Sequence, residues 1–223
     1  MSYERVKYYQ EMGDFEAALR VARGDWAVNP SLKWPKYTIA WLMVRMLKVY
    51  AHAYSKERFF DLLKELEELG VPREDKKLWG AVLWPVRDMV RDSLEMQWFS
   101  PQLGDRLFAT LRKLPIERPS EAYSALAREF IGLGSLWPGL ADFIEWWGFE
   151  DFLEFDYRRY PEKGQLVSLA ETVMEAYLRA TKRAGRVPSE DFFRGLRELE
   201  RRDRRQAENV RKIMKTLNIN INI

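Results

Sequence analysis

The stretch from Gly13 to Pro30 constrains this chain's folding more than any other. Gly13 closes a first helical segment that runs from Tyr3 to Met12. Asp14 is placed to cap the next one, in which Phe15, Ala18, Leu19, Ala22 and Trp26 recur at helical spacing. Asn29-Pro30 stops it, since proline lacks an N–H and clashes with the preceding turn of a helix. Stop, cap, amphipathic run and stop describe one helical hairpin, an element that must bury its apolar stripe against further helices.

The same grammar repeats downstream. Pro35 fits the first turn of a helix carrying Ile39, Leu42, Met43, Met46, Leu47 and Tyr50. Ser55 is a cap for Phe59, Leu62, Leu63, Leu66 and Leu69, with Gly70 as the stop. Asp75 to Trp98 reads as a long helix that Pro85 should kink or split. Ser100-Pro101, Pro119-Ser120 and Trp137-Pro138 open further helices, and the last runs to Trp147 with Gly148 as its stop. Phe149 to Tyr160 reads as a short helix followed by an extended arm, and Ser168 to Lys182 as helix again. Ser189 caps one long final helix. Strand patterning is confined to Asn218 to Ile223, which alternates with period two and suits either a frayed terminus or pairing with a partner's sheet edge. The expected fold is all-α: about ten helices in antiparallel hairpins, stacked as a solenoid or an irregular bundle. The expected organisation is a helical domain over 1–186, a basic C-terminal helix over 187–217 packing on it or on a partner, and a tail over 218–223.

Composition removes several chemistries. The chain has no Cys, which excludes disulfide frameworks, thiolate zinc sites and thiol nucleophiles and fits a reducing cytoplasm. The N-terminus has no apolar signal core, which argues against secretion. No apolar run approaches the ~20 residues of a membrane span. A Gly-x-Ser-x-Gly elbow, a phosphate-binding loop and a dinucleotide fingerprint are all missing. The single histidine, His52, falls near a helix C-terminus, with no nucleophile or orienting acid recognisable around it. The expectation is therefore a non-enzymatic protein with no cofactor and no metal. The carboxylates Asp142, Glu145, Glu150, Asp151, Glu154 and Asp156 form one acidic, aromatic-rich segment. It reads as the solvated side of a short amphipathic helix, with a metal site as the alternative.

Nine Trp require burial or a partner. Trp41, Trp79, Trp84 and Trp98 are expected to wedge between helices. Trp146 and Trp147 are adjacent on a helix, so their side chains diverge by about 100°. At most one faces the centre of the core, and the other is a candidate partner contact.

Charge is distributed unevenly. From Thr181 onward there are twelve Lys and Arg against six Asp and Glu, a balance of +6 in a chain of net charge +3. In the last helix Phe192, Leu196, Leu199, Val210, Ile213 and Leu217 follow 4-3 spacing, interrupted by Asp203 and Gln206. Such a seam docks on another helix, in this chain or in a partner. The opposite side carries Arg194, Arg197, Arg201, Arg204, Arg205, Arg211 and Lys212. Two readings stand side by side: a solvated face laced with i,i+3 and i,i+4 ion pairs, or a grip on nucleic-acid phosphates that weakens with salt and lacks sequence specificity.

Gly13, Phe15, Ala18 and Pro30 resemble the small, aromatic, small and proline positions of a tetratricopeptide hairpin. Asp25 departs from that pattern, standing where the repeat has a small residue. Ala18-Leu19 through Asn29-Pro30, Ala40-Trp41 and Leu47-Lys48 resemble the helical modules of prokaryotic TOTE-type conflict gene clusters. So do Phe143-Ile144-Glu145-Trp146-Trp147-Gly148, Phe152, Tyr157 and Ser168-Leu169-Ala170-Glu171. The resemblance implies a tetratricopeptide-like accessory or scaffold subunit of a cytoplasmic defence system. Its partner would be an enzyme of the same gene cluster, of the replication or nuclease type, and no catalytic residue carries over.

Overall fold

The computed structural model describes residues 2–116, 126–154 and 169–219. Among these there are twelve helices and no strand. They divide into two compact units, residues 1–92 with 109–117, and residues 93–108 with 118–223. The basic C-terminal segment thus belongs to the second unit. The division falls near 92/93, within the stretch expected to form one helical domain over 1–186, and the seam residues Phe192, Leu196, Leu199 and Val210 are buried.

The first unit holds α1 (Ser2–Glu11), α2 (Phe15–Val28), α3 (Lys33–His52), α4 (Lys56–Glu68) and most of α5 (Lys76–Glu95). Each of the first four packs on its neighbour in sequence, and the short connections make the successive helices antiparallel. Gly13 (φ +75°) and Gly70 (φ +66°) take the left-handed conformation that ends a helix. The Asp14 carboxylate accepts from Ala17 N at 2.9 Å. Lys36 Nζ donates to the Gly70 carbonyl at 2.6 Å, tying the α4 terminus to α3. The core is built from the predicted faces: Ala18, Leu19 and Ala22, then Ile39, Leu42 and Leu47, then Phe59, Leu63 and Leu66. Pro85 does not split α5, which is continuous from 76 to 95.

The second unit includes part of α6 (Pro101–Leu111) together with α7 (Phe130–Gly134), α8 (Leu140–Trp147), α9 (Phe149–Glu154), α10 (Leu169–Arg183), α11 (Glu190–Arg202) and α12 (Arg204–Thr216). It is a bundle around α10, which packs on α7, α8, α9 and α12. Nine of the fifteen residues of α10 are buried, Val173, Tyr177 and Ala180 completely. Fold irregularity follows from that hub, since a central helix needs apolar neighbours on most sides.

The single long final helix is corrected to two. Asp203 leaves the helical region (φ −149°, ψ 93°), closing α11 through its N–H to Leu199 O at 2.7 Å. It also opens α12, its carboxylate accepting from Gln206 N at 3.1 Å and Gln206 Nε2 at 3.0 Å. The two residues that interrupted the apolar seam are therefore the joint of a hairpin. At the chain end, Asn218 has φ +52°, and Ile219 N donates to Met214 O at 3.0 Å. Those two residues finish the helix rather than start a strand. Residues 220–223, the start of the helix expected from Pro119-Ser120 and the extended arm expected before Tyr160 lie outside the described residues.

Candidate functional site

An open groove of about 440 Å³ runs along α2, α3 and α4 in the first unit. Leu19, Met46 and Leu62 form its floor, and Glu16, Arg20, Arg23, Tyr50, Arg58, Asp61 and Glu65 its walls. Helical spacing sets this lining: Glu16, Arg20 and Arg23 follow one stripe of α2, and Arg58, Asp61, Leu62 and Glu65 one stripe of α4. Arg23 is paired with Glu65 across the groove. Tyr50 donates its hydroxyl to Glu16 at 3.3 Å, and the Arg58 guanidinium lies 5.9 Å from the Tyr50 ring centroid. Burial, and then the charge of Glu16, pushes the Tyr50 phenol above its ordinary value. Among the described residues, Arg20 and Arg58 have no carboxylate partner and Asp61 has no cation. An apolar floor flanked by unspent charges of both signs suits an amphipathic peptide segment. The groove was not foreseen from sequence, although the two stripes that form it were legible.

The second finding corrects the reading of His52. Two acids do orient it: Nδ1 lies 2.7 Å from Asp92 Oδ2, and Nε2 lies 3.6 Å from Asp88 Oδ2. Both acids project from α5 one turn apart and are buried. Arg91 bonds Asp92 Oδ1 through Nε at 3.0 Å and Nη2 at 2.9 Å, and Asp88 at 3.3 Å. Burial acts to raise the Asp92 carboxyl, but the bonds from His52 and Arg91 outweigh it and hold it below its ordinary value. His52 bonds only carboxylates among the described residues, so the cluster works as a hydrogen-bonded latch between α3 and α5. The Asp88/Asp92 pair at i,i+4 was visible in sequence; the fact that α3 ends beside it was not.

The acidic segment does not gather around one point. Asp142 bonds Arg186 Nη1 at 2.5 Å, and Glu145 lies 3.6 Å from Arg186 Nη2. Glu145 also accepts from the buried Tyr177 hydroxyl at 2.6 Å, and Glu150 lies 3.5 Å from Arg194. Burial first, and then the bond to Glu145, raises the Tyr177 phenol above its ordinary value. The Glu154 side chain and Asp156 lie outside the described residues. Among the described residues no three His, Cys, Asp or Glu are arranged to hold a metal ion. Part of the charge asymmetry is thus spent inside the second unit, where basic Arg186 and Arg194 meet acids of α8 and α9.

Trp147 is buried against Phe130 and Phe143, with ring centroids 6.0 and 5.0 Å away. Trp146 is half-buried among Phe108, Phe143 and Trp147. A partner contact through Trp147 is therefore withdrawn, and Trp146 offers only part of its ring. Trp79 is wedged as expected, whereas Trp84 is exposed.

The seam of the last two helices docks within this chain. Phe192, Leu196, Leu199 and Val210 are buried, and Ile213 and Leu217 are half-buried. Phe192 stacks on Tyr177 at 5.1 Å and 15°, which removes the buried four as partner contacts. The cations opposite fall into two sets. Arg194, Arg201, Arg204 and Arg211 are paired with Asp191, Glu198, Glu208 and Glu200. Arg197, Arg205 and Lys212 are exposed and have no partner among the described residues.

No helix among the described residues is long and apolar enough to cross a membrane. Compared with known protein families, curated proteins and solved structures, the chain matches none.

Proposed function

We propose that this protein is a non-enzymatic helical scaffold whose first unit holds an amphipathic segment of a partner protein in the α2–α4 groove. The observation that carries the reading is the groove itself, with its apolar floor and, on its walls, Arg20, Arg58 and Asp61, which have no oppositely charged partner among the described residues. Guanidinium groups already free of internal carboxylates bind an acidic side chain without first breaking a pair. The sequential packing of α1 to α4 supports it too, because stacked hairpins present extended surfaces. The resemblance to conflict-system helical modules supports a partner that is an enzyme of the same gene cluster, in a prokaryotic cytoplasm.

The test is selection of phage-displayed random peptides on the full chain, followed by titration against the variant R20A/R58A. Enriched peptides should combine acidic and apolar residues, and should bind the variant at least about tenfold more weakly, a loss of about 1.4 kcal/mol. Peptides that bind wild type and variant equally, or no enrichment at all, would reject the groove as the docking site.

A further inference from the structure

We propose that the α11–α12 hairpin is a nucleic-acid-binding surface that grips a phosphate backbone through Arg197, Arg205, Lys212 and Lys215. This surface lies in the second unit and is independent of the peptide groove, so either reading can fail without the other.

The argument starts from how the hairpin spends its charges. Asp191, Glu198, Glu200 and Glu208 are each held by an arginine of the same hairpin. Asp203 is occupied as the cap between the helices. Glu190 alone among the hairpin's acids has no partner among the described residues. On the other side of the balance, Arg197, Arg205, Lys212 and Lys215 are exposed and without a partner there. The unspent charge is therefore four cations against one anion.

Position makes this excess linear. Arg205, Lys212 and Lys215 stand at i, i+7 and i+10 of α12, on one stripe. At 1.5 Å per residue they cover about 15 Å of helix axis. A row of separated point charges suits a polymer that carries a phosphate at each nucleotide better than it suits one carboxylate. Arg197 projects from α11 one turn after the half-exposed Phe193, which gives that end a ring beside a cation.

The neighbouring arginines add a reserve. The Arg201 and Arg204 side chains are 79 % and 82 % exposed in their ion pairs, and surface pairs of this kind hold by roughly 0–1 kcal/mol. They can exchange a carboxylate for a phosphate at little cost. The hairpin offers neither a groove-reading motif nor a row of exposed rings, so binding is not sequence-specific.

The experiment is fluorescence anisotropy of the full chain with a labelled twenty-nucleotide single strand and a twenty-base-pair duplex, from 50 to 200 mM salt. Four phosphate contacts predict a log–log salt slope of about −2.8 on a single strand and −3.6 on a duplex, so affinity falls about 50- to 150-fold over that range. The variant R197Q/R205Q/K212Q/K215Q should keep the circular dichroism and melting temperature of the wild type, because these side chains hold no partner among the described residues. Its binding should be lost, while R201Q should lose severalfold at most. Two oligonucleotides of unrelated sequence should bind equally. No binding by the wild type at 50 mM salt would overturn the proposal. So would a quadruple variant with unaltered affinity and slope, or binding of polyglutamate in preference to either nucleic acid.

Discussion

Replacing Gly134 by alanine should damage this protein, whereas the same change at Gly24 should strengthen it. Gly134 ends α7 where that helix meets the middle of α10. A Cβ there would stand 2.7 Å from the Ala176 carbonyl oxygen, 3.0 Å from its Cα and 3.2 Å from its carbonyl carbon. All three are backbone atoms of α10, so no side-chain rotation relieves the clash. Reaching ordinary contact requires a shift of about 0.7 Å between two helices, and α10 is also packed on α8, α9 and α12. Overpacking of this kind costs about 1–3 kcal/mol. Gly24 lies inside α2, exposed, with nothing within 4 Å of its Cβ position. There alanine removes only the entropy that glycine loses on folding, a gain of about 0.5–1 kcal/mol. At about 2–4 °C per kcal/mol for a chain of this size, G134A should melt about 2–12 °C lower and G24A about 1–4 °C higher. Thermal unfolding followed by far-UV circular dichroism reads both. A G134A protein as stable as wild type would refute the close approach of α7 and α10 and the account of the second unit as a bundle about α10.

Three further outcomes are expected. Tyr177→Phe removes the donor to Glu145 and the acceptor for Ser189 N at 2.9 Å, and should cost about 1.5–3 kcal/mol in urea unfolding; a loss under 0.5 kcal/mol would mean that the buried hydroxyl is dispensable. Asp92 has a folded-state pKa below its ordinary value, so its stabilisation is fully present above the unfolded value near ~4 and is lost as pH falls through the folded one. Asp92→Asn should therefore lower the urea midpoint at pH 6 and flatten its decline toward pH 3, and equal acid slopes for the two proteins would contradict the latch. Asp203→Ala removes the cap of α12 and should cost about 0.5–2 kcal/mol, with Asp203→Asn restoring most of it; hydrogen exchange at the Gln206 amide, bonded to Asp203 at 3.1 Å, should accelerate in the alanine variant alone.

Helix limits were legible at most local determinants, although Ser55, expected as a cap, opens α4 without a side-chain capping bond. Gly13, Gly70 and Gly148 were read as stops, and all three adopt positive φ. Asp14 and Ser189 were read as caps, and both accept from a backbone N–H three residues on. Asp203 was misread for a reason that is also local. Inside a 4-3 pattern a single acid looks like a tolerated polar residue, and only the burial of Gln206 and the bond between the two reveal a break. The candidate sites were legible in residue type and not in pairing. Seven cations share one face by spacing alone, yet four of them are matched by acids, Arg211 by Glu200 eleven residues earlier on the facing helix. His52 was read as lacking an orienting acid because its acids lie 36 and 40 residues away, on a helix whose position the sequence did not reveal.

Capping, glycine stops and apolar periodicity act over about four residues of backbone, and so the all-helical class, the amphipathic faces and most helix ends of this chain were properties of its sequence. Tertiary packing alone decided which charges remained available. Arg186 spends itself on Asp142 and Glu145, and Tyr177 on Glu145 and Ser189, while Arg197, Arg205 and Lys212 face solvent without a partner among the described residues. The physical reason is the range of the interaction. An ion pair requires two side chains within 4 Å, and for groups more than forty residues apart that distance is set by how helices pack, whatever each helix prefers by itself.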